Sequence, residues 1–300
     1  MHITRRKTGL LIYLAVAFIP AFLLDYAYIL EPLKEAMTNE ATTTHITTQL
    51  KLLPVLVARM WLPATGTLLA LYAEGVRSIE AVKSLVGLKG IEARYIVAAA
   101  LAPLAVYTLS IPIALGLGGR LGPCKGLQGT PYTLILLTIP LGVVAGATIN
   151  AAVALGEEIG WRGYLVEAID DRIGLTGKAI VIGVLWGLWH APLIYYGYDF
   201  RIPLPGGCGG SSGGVPALLV FTLFTVSFGS VLLILRARSG SVYAAAIGHG
   251  VINGIAGSFS VLVYGDRLLT PPAGLAVSIS AVLVAFIMAR LLEGGTRGVF

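Results

Sequence analysis

The stretch GLLIYLAVAFIPAFLLDYAYIL, residues 9–30, is long and apolar enough to cross a lipid bilayer as one helix. A spanning helix needs about 20 such residues, whereas a cleavable signal has an apolar region of roughly 7–15 residues and a small-residue cleavage site. Arg5, Arg6 and Lys7 precede the stretch. We therefore expect it to form the first transmembrane helix rather than a signal that is removed.

The composition of the whole chain points to the same class. Hydrophobic residues make up 56% of the 300 residues and charged residues only 12%, and the mean hydropathy is +0.85. A soluble domain carries about 25% charged residues and has no place for so much apolar surface. In a bilayer, lipid-facing and core-facing positions can both be apolar. The sequence therefore predicts an all-α, polytopic transmembrane helical bundle.

Eight apolar segments can be marked along the chain, and each predicts one transmembrane helix. They cover approximately residues 9–30, 52–73, 93–118, 132–156, 178–197, 215–235, 241–263 and 271–291. Neither an internal repeat nor a soluble domain is visible between them. The Gly- and Ser-rich stretch at 203–216 predicts a flexible loop.

The basic residues indicate how this bundle is oriented. Cytoplasmic loops are enriched in Lys and Arg. If the N-terminus is cytoplasmic and eight helices alternate, every cytoplasmic segment holds more than one basic residue. We therefore expect a multi-pass protein of the cell membrane with both termini in the cytoplasm. The net charge of +6 lies in short clusters between apolar runs, so its expected partners are anionic lipid headgroups and not nucleic acid.

Polar and ionisable residues within spanning helices are costly and usually functional. Those in or beside the marked segments are Asp25, Arg59, Asn150, Glu157, Glu158, His190, His249 and Asn253. Asp25 and Arg59 fall near the predicted outer surface, where we expect them to snorkel towards the headgroups. Two histidines at membrane depth together with a Glu pair indicate a joint polar site. A purely structural polar network is the alternative.

Helical spacing predicts different roles for the two adjacent glutamates. Glu158 and Arg162 are four residues apart and therefore share a helix face. Glu157 points about 100° away from that face. Arg162 can thus neutralise Glu158 and leave Glu157 free to act as a base.

The helices that carry the histidines repeat the four-residue spacing. His249 and Asn253 project together, and Trp186 can pack its indole beside the imidazole of His190. We expect the Glu pair at the cytoplasmic end of the fourth helix. The polar groups would then converge in the cytoplasmic half of the bilayer.

Three motifs in this set resemble those of the CAAX-protease and bacteriocin-processing family of intramembrane endopeptidases. EEIGWRGYL (157–165) matches the family's EExxxR motif, GVLWGLWHAPL (183–193) places an aromatic residue four positions before a His, and HGVIN (249–253) matches HxxxN. Each motif is weak alone, but the ordered set is specific and covers about residues 130–265. Trp186 stands where the family usually has Phe. The family includes the type II CAAX prenyl endopeptidase, which trims the last three residues from prenylated proteins.

The resemblance implies a mechanism that uses no cofactor. Glu157 and His190 would activate a water molecule, and His249 and Asn253 would stabilise the oxyanion. Peptide hydrolysis needs such a general base and such donors, aimed at the developing negative charge. The residues expected to support them are Glu158, Arg162 and Trp186.

The resemblance also implies a division of the chain and a class of substrate. Residues 1–130 would hold transmembrane helices 1–3 with their loops, residues 131–265 the intramembrane protease core, and residues 266–300 the last helix and tail. The expected substrate is a peptide or a membrane protein. Nothing in the sequence encodes recognition of a prenyl group, so a prenylated and an unprenylated substrate both stay open.

Other functions also stay open at this point. In a zinc-dependent hydrolase, Glu157, His190 and His249 would form a three-ligand site with water in the fourth position, although the chain has no HExxH motif. A non-catalytic membrane scaffold, peptide-binding module or bacteriocin-immunity protein would be expected to lack part of the polar set. A transporter would favour inverted repeats and broken helices.

The chain has two cysteines, Cys124 and Cys208. Both fall in predicted outer loops, where oxidation is possible. They are either two unrelated thiols or a disulfide that ties the loop after the third helix to the loop after the fifth.

Overall fold

The computed structural model describes residues 2–32, 42–122, 132–198, 200 and 213–291. Within these ranges the chain is a bundle of helices, and seven of them are long and apolar enough to cross a membrane. An eighth apolar helix, Leu275–Leu291, is shorter. The prediction of an all-α, polytopic transmembrane bundle is confirmed. Cys124 and Cys208 lie outside the described residues, so their pairing stays a prediction.

The helices are numbered here in chain order. They are α1 (His2–Leu24), α2 (Thr42–Met60), α3 (Leu62–Glu74), α4 (Ile79–Val86), α5 (Ala93–Gly116), α6 (Tyr132–Ala145), α7 (Ala151–Glu158), α8 (Leu165–Ala168), α9 (Gly174–Trp189), α10 (Ala191–Tyr195), α11 (Gly214–Ser239), α12 (Val242–Leu262) and α13 (Leu275–Leu291). Wider π-helical turns extend α1 over Asp25–Ile29, join α6 to α7 over Gly146–Asn150, and join α7 to α8 over Ile159–Tyr164. A short 3₁₀ turn, Asp171–Ile173, precedes α9.

One small antiparallel strand pair lies at an end of the bundle. Strand β1 (Arg120–Leu121) follows α5, strand β2 (Val263–Tyr264) follows α12, and Leu121 is opposite Val263. Because β2 continues directly from α12, the pairing ties the end of that helix to the end of α5. The opposite end of α12 is also fixed, since Ser241 caps the helix and donates its hydroxyl to the Lys89 carbonyl at 2.7 Å.

The fourth spanning segment is longer than the sequence predicts. The predicted segment ended at residue 156, whereas the continuous helical span runs from Tyr132 to Ala168. The Glu pair therefore lies inside the span, about 15 Å along the axis from Ala168, and the expectation that it ends the helix is wrong. The predicted segment ended where the charged residues begin. In the structure, ion pairing allows this charged motif to continue as a buried helix.

The fifth spanning segment is shorter than predicted. It was expected to cover residues 178–197, but α9 ends at Trp189 and the chain turns at His190. Pro192 is the physical reason, because proline has no N–H to continue the helical hydrogen bonds. His190 has φ −87° and ψ −3°, the bridge region in which many active-site residues lie.

Glycines bring α12 into backbone contact with the segment that carries the Glu pair. A Cβ atom at Gly250 would lie 2.2 Å from the carbonyl oxygen of Gly146, and one at Gly254 would lie 2.3 Å from that of Gly142. Both helices thus present glycines four residues apart, the pattern that lets membrane helices approach closely. Since His249 immediately precedes Gly250, this contact holds the imidazole close to α7.

Candidate active site

Both glutamates are buried at the centre of the bundle. Only 1% of Glu157 and none of Glu158 is exposed. Ionised carboxylates in such surroundings need partners, because an isolated buried charge is strongly unfavourable. The partners differ for the two side chains, as helical spacing predicted.

Glu158 is the acceptor in a buried ionic cluster. Its Oε1 accepts hydrogen bonds from Arg162 Nη1 at 2.9 Å and from His249 Nδ1 at 2.8 Å. The predicted pairing with Arg162 is confirmed, and the contact with His249 adds a link that the motifs alone did not reveal. The guanidinium of Arg162 is 1% exposed, so little solvent screens this cluster.

Glu157 has a neutral partner instead. Its Oε2 accepts a hydrogen bond from the indole Nε1 of Trp186 at 2.8 Å. This contact orients the carboxylate without pairing it to a cation. The hydrogen bond requires the tryptophan that stands at position 186 in place of the family's usual phenylalanine, because phenylalanine has no donor.

His190 is held by the backbone of the same tryptophan. Its Nδ1 lies 2.9 Å from the carbonyl oxygen of Trp186. A carbonyl only accepts, so Nδ1 carries the hydrogen and the neutral ring keeps its acceptor lone pair on Nε2. The imidazole packs edge-on against Trp186, with ring centroids 5.9 Å apart, as the four-residue spacing predicted.

Trp186 is the centre around which these groups are arranged. The His249 ring packs against its indole at a centroid distance of 5.1 Å, and the Arg162 guanidinium lies 4.3 Å from its ring centroid. Gly229 leaves room for this stack, because a Cβ atom there would lie 2.9 Å from Arg162 Nη2. The structure thus brings Trp186, Arg162 and both histidines into contact around the Glu pair.

Asn253 is the member of the predicted set that stands apart. It lies one turn beyond His249 on α12, but its side chain is exposed, whereas only 4% of His249 is exposed. Asn253 makes no side-chain hydrogen bond with the described residues. Its amide is therefore available to a group that approaches from outside the bundle.

The zinc alternative requires Glu157, His190 and His249 around one ion. Among the described residues, no three His, Cys, Asp or Glu side chains are grouped so that they could hold a metal ion. His249 directs Nδ1 to Glu158, and His190 directs Nδ1 to a backbone carbonyl. These contacts leave Nε2 of both rings free, and a histidine that binds a metal often donates its other ring N–H to such an acceptor, so the zinc alternative stays open.

Asp25 and Arg59 do not lie at the membrane surface, where the sequence predicted them. They were expected to snorkel towards headgroups, but Asp25 is fully buried and Arg59 is 2% exposed. Their side chains form a two-point ion pair, with N–O distances of 2.6 and 3.0 Å. Arg59 also donates to the carbonyl oxygen of Trp189 at 2.8 Å, which places the pair beside His190. The sequence did contain a signal for this ion pair, because the first two predicted helices carry one acidic and one basic residue at similar depth.

Comparison with known proteins finds a family similarity for the segment that carries these motifs. Residues 139–255 match the family model described as type II CAAX prenyl endopeptidase Rce1-like. The resemblance seen in the motifs is confirmed. The matched Rce1-like segment contains every predicted site residue and most of the predicted 131–265 core, whose bounds stay a prediction.

A curated relative agrees with the family match. The chain is similar to CAAX prenyl protease 2 of Methanococcus maripaludis, with 29% identity over 97 residues. That match covers 32% of this chain and 33% of the relative. The similarity thus spans about a third of the relative's length.

Proposed function

We propose that this protein is an intramembrane endopeptidase that hydrolyses peptide bonds of membrane-associated substrates. The single observation that carries the proposal is that Trp186 holds two different bases. Its indole orients the Glu157 carboxylate, and its carbonyl orients the His190 ring. The family match supports the same activity.

In the proposed reaction, Glu157 and His190 act on one water molecule. The free Nε2 lone pair of His190 accepts a hydrogen bond from the water, and Glu157 takes a proton as the water oxygen bonds to the substrate carbonyl carbon. The carbonyl π electrons move onto oxygen and give a tetrahedral oxyanion. The proton on Glu157 then passes to the leaving nitrogen as the C–N bond breaks.

The proposed oxyanion site consists of His249 and Asn253. Because Nδ1 of His249 bonds to Glu158, the nitrogen that can face the substrate is Nε2. An imidazolium donates from both nitrogens, and the proposed reaction uses His249 in that form. Asn253 adds an uncharged amide donor from the exposed side of α12. Donors held in place before the reaction are usually the largest contribution to such catalysis.

The proposed site works without a metal, and its substrate is a peptide or a membrane protein near the cytoplasmic face. The decisive experiment compares cells that contain the active protein with cells that contain a Glu157→Ala variant. New C-termini in the membrane proteome are the expected signature of the active protein. Purified protein is then given matched model peptides with and without a prenylated C-terminal cysteine. Equal C-termini in both cells and no cleavage of either peptide would contradict the proposal.

The orientation in the cell membrane is part of the same proposal. Both termini are placed in the cytoplasm because the predicted cytoplasmic segments carry the basic residues. Reporter fusions after Arg77 and Arg238 are expected to report cytoplasm, and fusions after Lys125 and Ser211 the outside. The opposite result at either pair would overturn this orientation.

A further inference from the structure

The Asp25–Arg59 pair is a second buried ionic group, separate from the cluster around Glu158. Arg59 Nε lies 2.6 Å and Nη2 3.0 Å from the two carboxylate oxygens of Asp25. The residues come from different helices, 34 positions apart in the chain. Both are almost fully buried, so each charge has lost its hydration.

Arg59 also contacts Trp189 in two ways. Its Nη2 donates to the Trp189 carbonyl oxygen at 2.8 Å, and its guanidinium carbon lies 3.7 Å from the indole centroid. Trp189 is the last residue of α9, where backbone carbonyls lack helical partners and a cation is favoured by the helix dipole. Arg59 therefore caps the helix at the residue before His190.

Trp189 connects Arg59 to His190, because its ring packs against the imidazole. Its ring centroid lies 4.8 Å from that of His190 in an edge-on contact. Its indole Nε1 donates to the Ala17 carbonyl at 2.8 Å, so the ring is fixed at its other end by α1. The His190 ring is thus packed between Trp189, Trp186 and Phe221, with a centroid distance of 5.1 Å to Phe221.

Stability alone gives a poor reason for this arrangement. Desolvating two charges can outweigh their attraction, and well-packed apolar residues of similar volume are often as stabilising as a buried pair. A chain that needed only packing at this place could use them. An ionic pair also fixes an orientation. Its hydrogen bonds hold the Arg59 side chain in one arrangement, and Arg59 in turn holds the end of α9.

We propose that Asp25 and Arg59 are positioning residues that hold the His190 imidazole in the orientation required for water activation. Asp25 orients Arg59, Arg59 fixes the end of α9 through Trp189, and Trp189 fixes the His190 ring. This inference rests on the proposed function for the role of His190. The orientation of the His190 ring can be tested without any cleavage assay.

The first test is nuclear magnetic resonance of protein with ¹⁵N-labelled histidine, in which His190→Gln assigns the His190 signals. The wild-type ring is expected to show one Nδ1–H tautomer. Arg59→Met and Asp25→Asn are expected to shift or broaden those signals through a second ring orientation. Arg267→Met is the matched control, because Arg267 is also buried and also donates to backbone carbonyls, that of Ser260 near the end of α12 and that of Pro271. Burial lowers the pKa of Arg267 to about 10, so Arg267 is still cationic at neutral pH.

The second test separates positioning from stability. In the double variant Asp25→Leu with Arg59→Leu, apolar residues replace the pair, and thermal stability is expected to survive. The turnover number is nevertheless expected to fall about 100-fold, the effect of misplacing a catalytic group by about 1 Å, while KM changes by less than about 2-fold. A stable double variant with wild-type His190 signals and turnover would overturn the inference. If the wild-type protein cleaves nothing, the proposed function fails, and the resonance experiment still decides whether the pair orients His190.

Discussion

The Nδ1 atom of His249 lies 2.8 Å from Oε1 of Glu158, although the two residues are 91 positions apart. The same oxygen accepts from Arg162. Oε1 of Glu158 therefore has two hydrogen-bond donors, Arg162 and His249. Among the described residues, the donor to Glu157 is an indole, so Glu157 is the carboxylate left to act on water. This difference makes the two adjacent glutamates separable by mutation.

We expect Glu157→Gln to abolish cleavage and leave folding intact, because the amide cannot take a proton from water. Glu158→Gln is expected to act partly through structure. It leaves the buried Arg162 charge without a carboxylate, and removing one partner of a buried pair costs roughly 3–5 kcal/mol. Cleavage of a model membrane peptide and thermal unfolding are measured in parallel for both variants. An active Glu157→Gln protein would falsify the assignment, and a stable but inactive Glu158→Gln beside it would exchange the two roles.

Trp186→Phe removes the indole donor and reduces the aromatic surface on which His249 and Arg162 pack. The ring stays aromatic, but the Glu157 carboxylate loses its indole donor, and hydrogen bonds to charged groups contribute about 1.5–3 kcal/mol. We expect turnover to fall by roughly 10-fold or more, with KM little changed. Trp161→Phe is the control, since Trp161 is fully buried and its Nε1 has no hydrogen-bond partner among the described residues. Equal turnover in the two variants would show that the indole donor has no role.

Asn253→Ala tests the oxyanion site from its exposed side. Losing one oxyanion donor typically lowers turnover by about 10²–10³-fold, and we expect that loss with substrate binding retained. Because the side chain is exposed and makes no hydrogen bond with the described residues, the substitution should leave the melting temperature unchanged. Turnover at the wild-type level in a folded Asn253→Ala protein would remove this residue from the site.

Gly250→Ala tests the close helix contact that holds His249 near the Glu pair. The added Cβ would lie 2.2 Å from one backbone carbonyl oxygen and 2.4 Å from a backbone nitrogen of Ala151, so the helices must separate. Overpacking of this kind costs about 1–3 kcal/mol or more, and we expect a lower melting temperature together with reduced activity. Gly257→Ala on the same helix is the control, because nothing lies within 4 Å of its Cβ position. Similar melting temperatures for both variants would contradict the contact.

Metal analysis of the purified protein separates a metal-free hydrolase from the zinc alternative. We expect only a trace of zinc and activity that a strong chelator leaves unchanged, because the proposed reaction uses the free Nε2 atoms of His190 and His249 for the water and the oxyanion. A zinc hydrolase instead needs three protein ligands on one ion. Stoichiometric zinc that is lost in a His249→Ala variant would support the zinc alternative.

The sequence by itself determined the membrane class, the helical bundle and one local contact in each of the first two motifs. The Glu158–Arg162 and Trp186–His190 contacts follow from four-residue spacing on one helix, because helical periodicity fixes which neighbours share a face. The sequence predicted the ends of the motif helices less well. The Ile159–Tyr164 turn stays helical and buried although its preceding charges suggested an end.

Only the tertiary structure decided which groups meet across helices. Glu158 meets His249, Trp186 meets Glu157 and Arg59 meets Asp25 over 91, 29 and 34 positions of sequence. In a soluble helix, one apolar face indicates the side that packs inwards, but in a membrane both faces are apolar and this signal is lost. Close glycine contacts and buried ionic pairs then set how the helices meet, and their partners become visible only when the bundle is assembled.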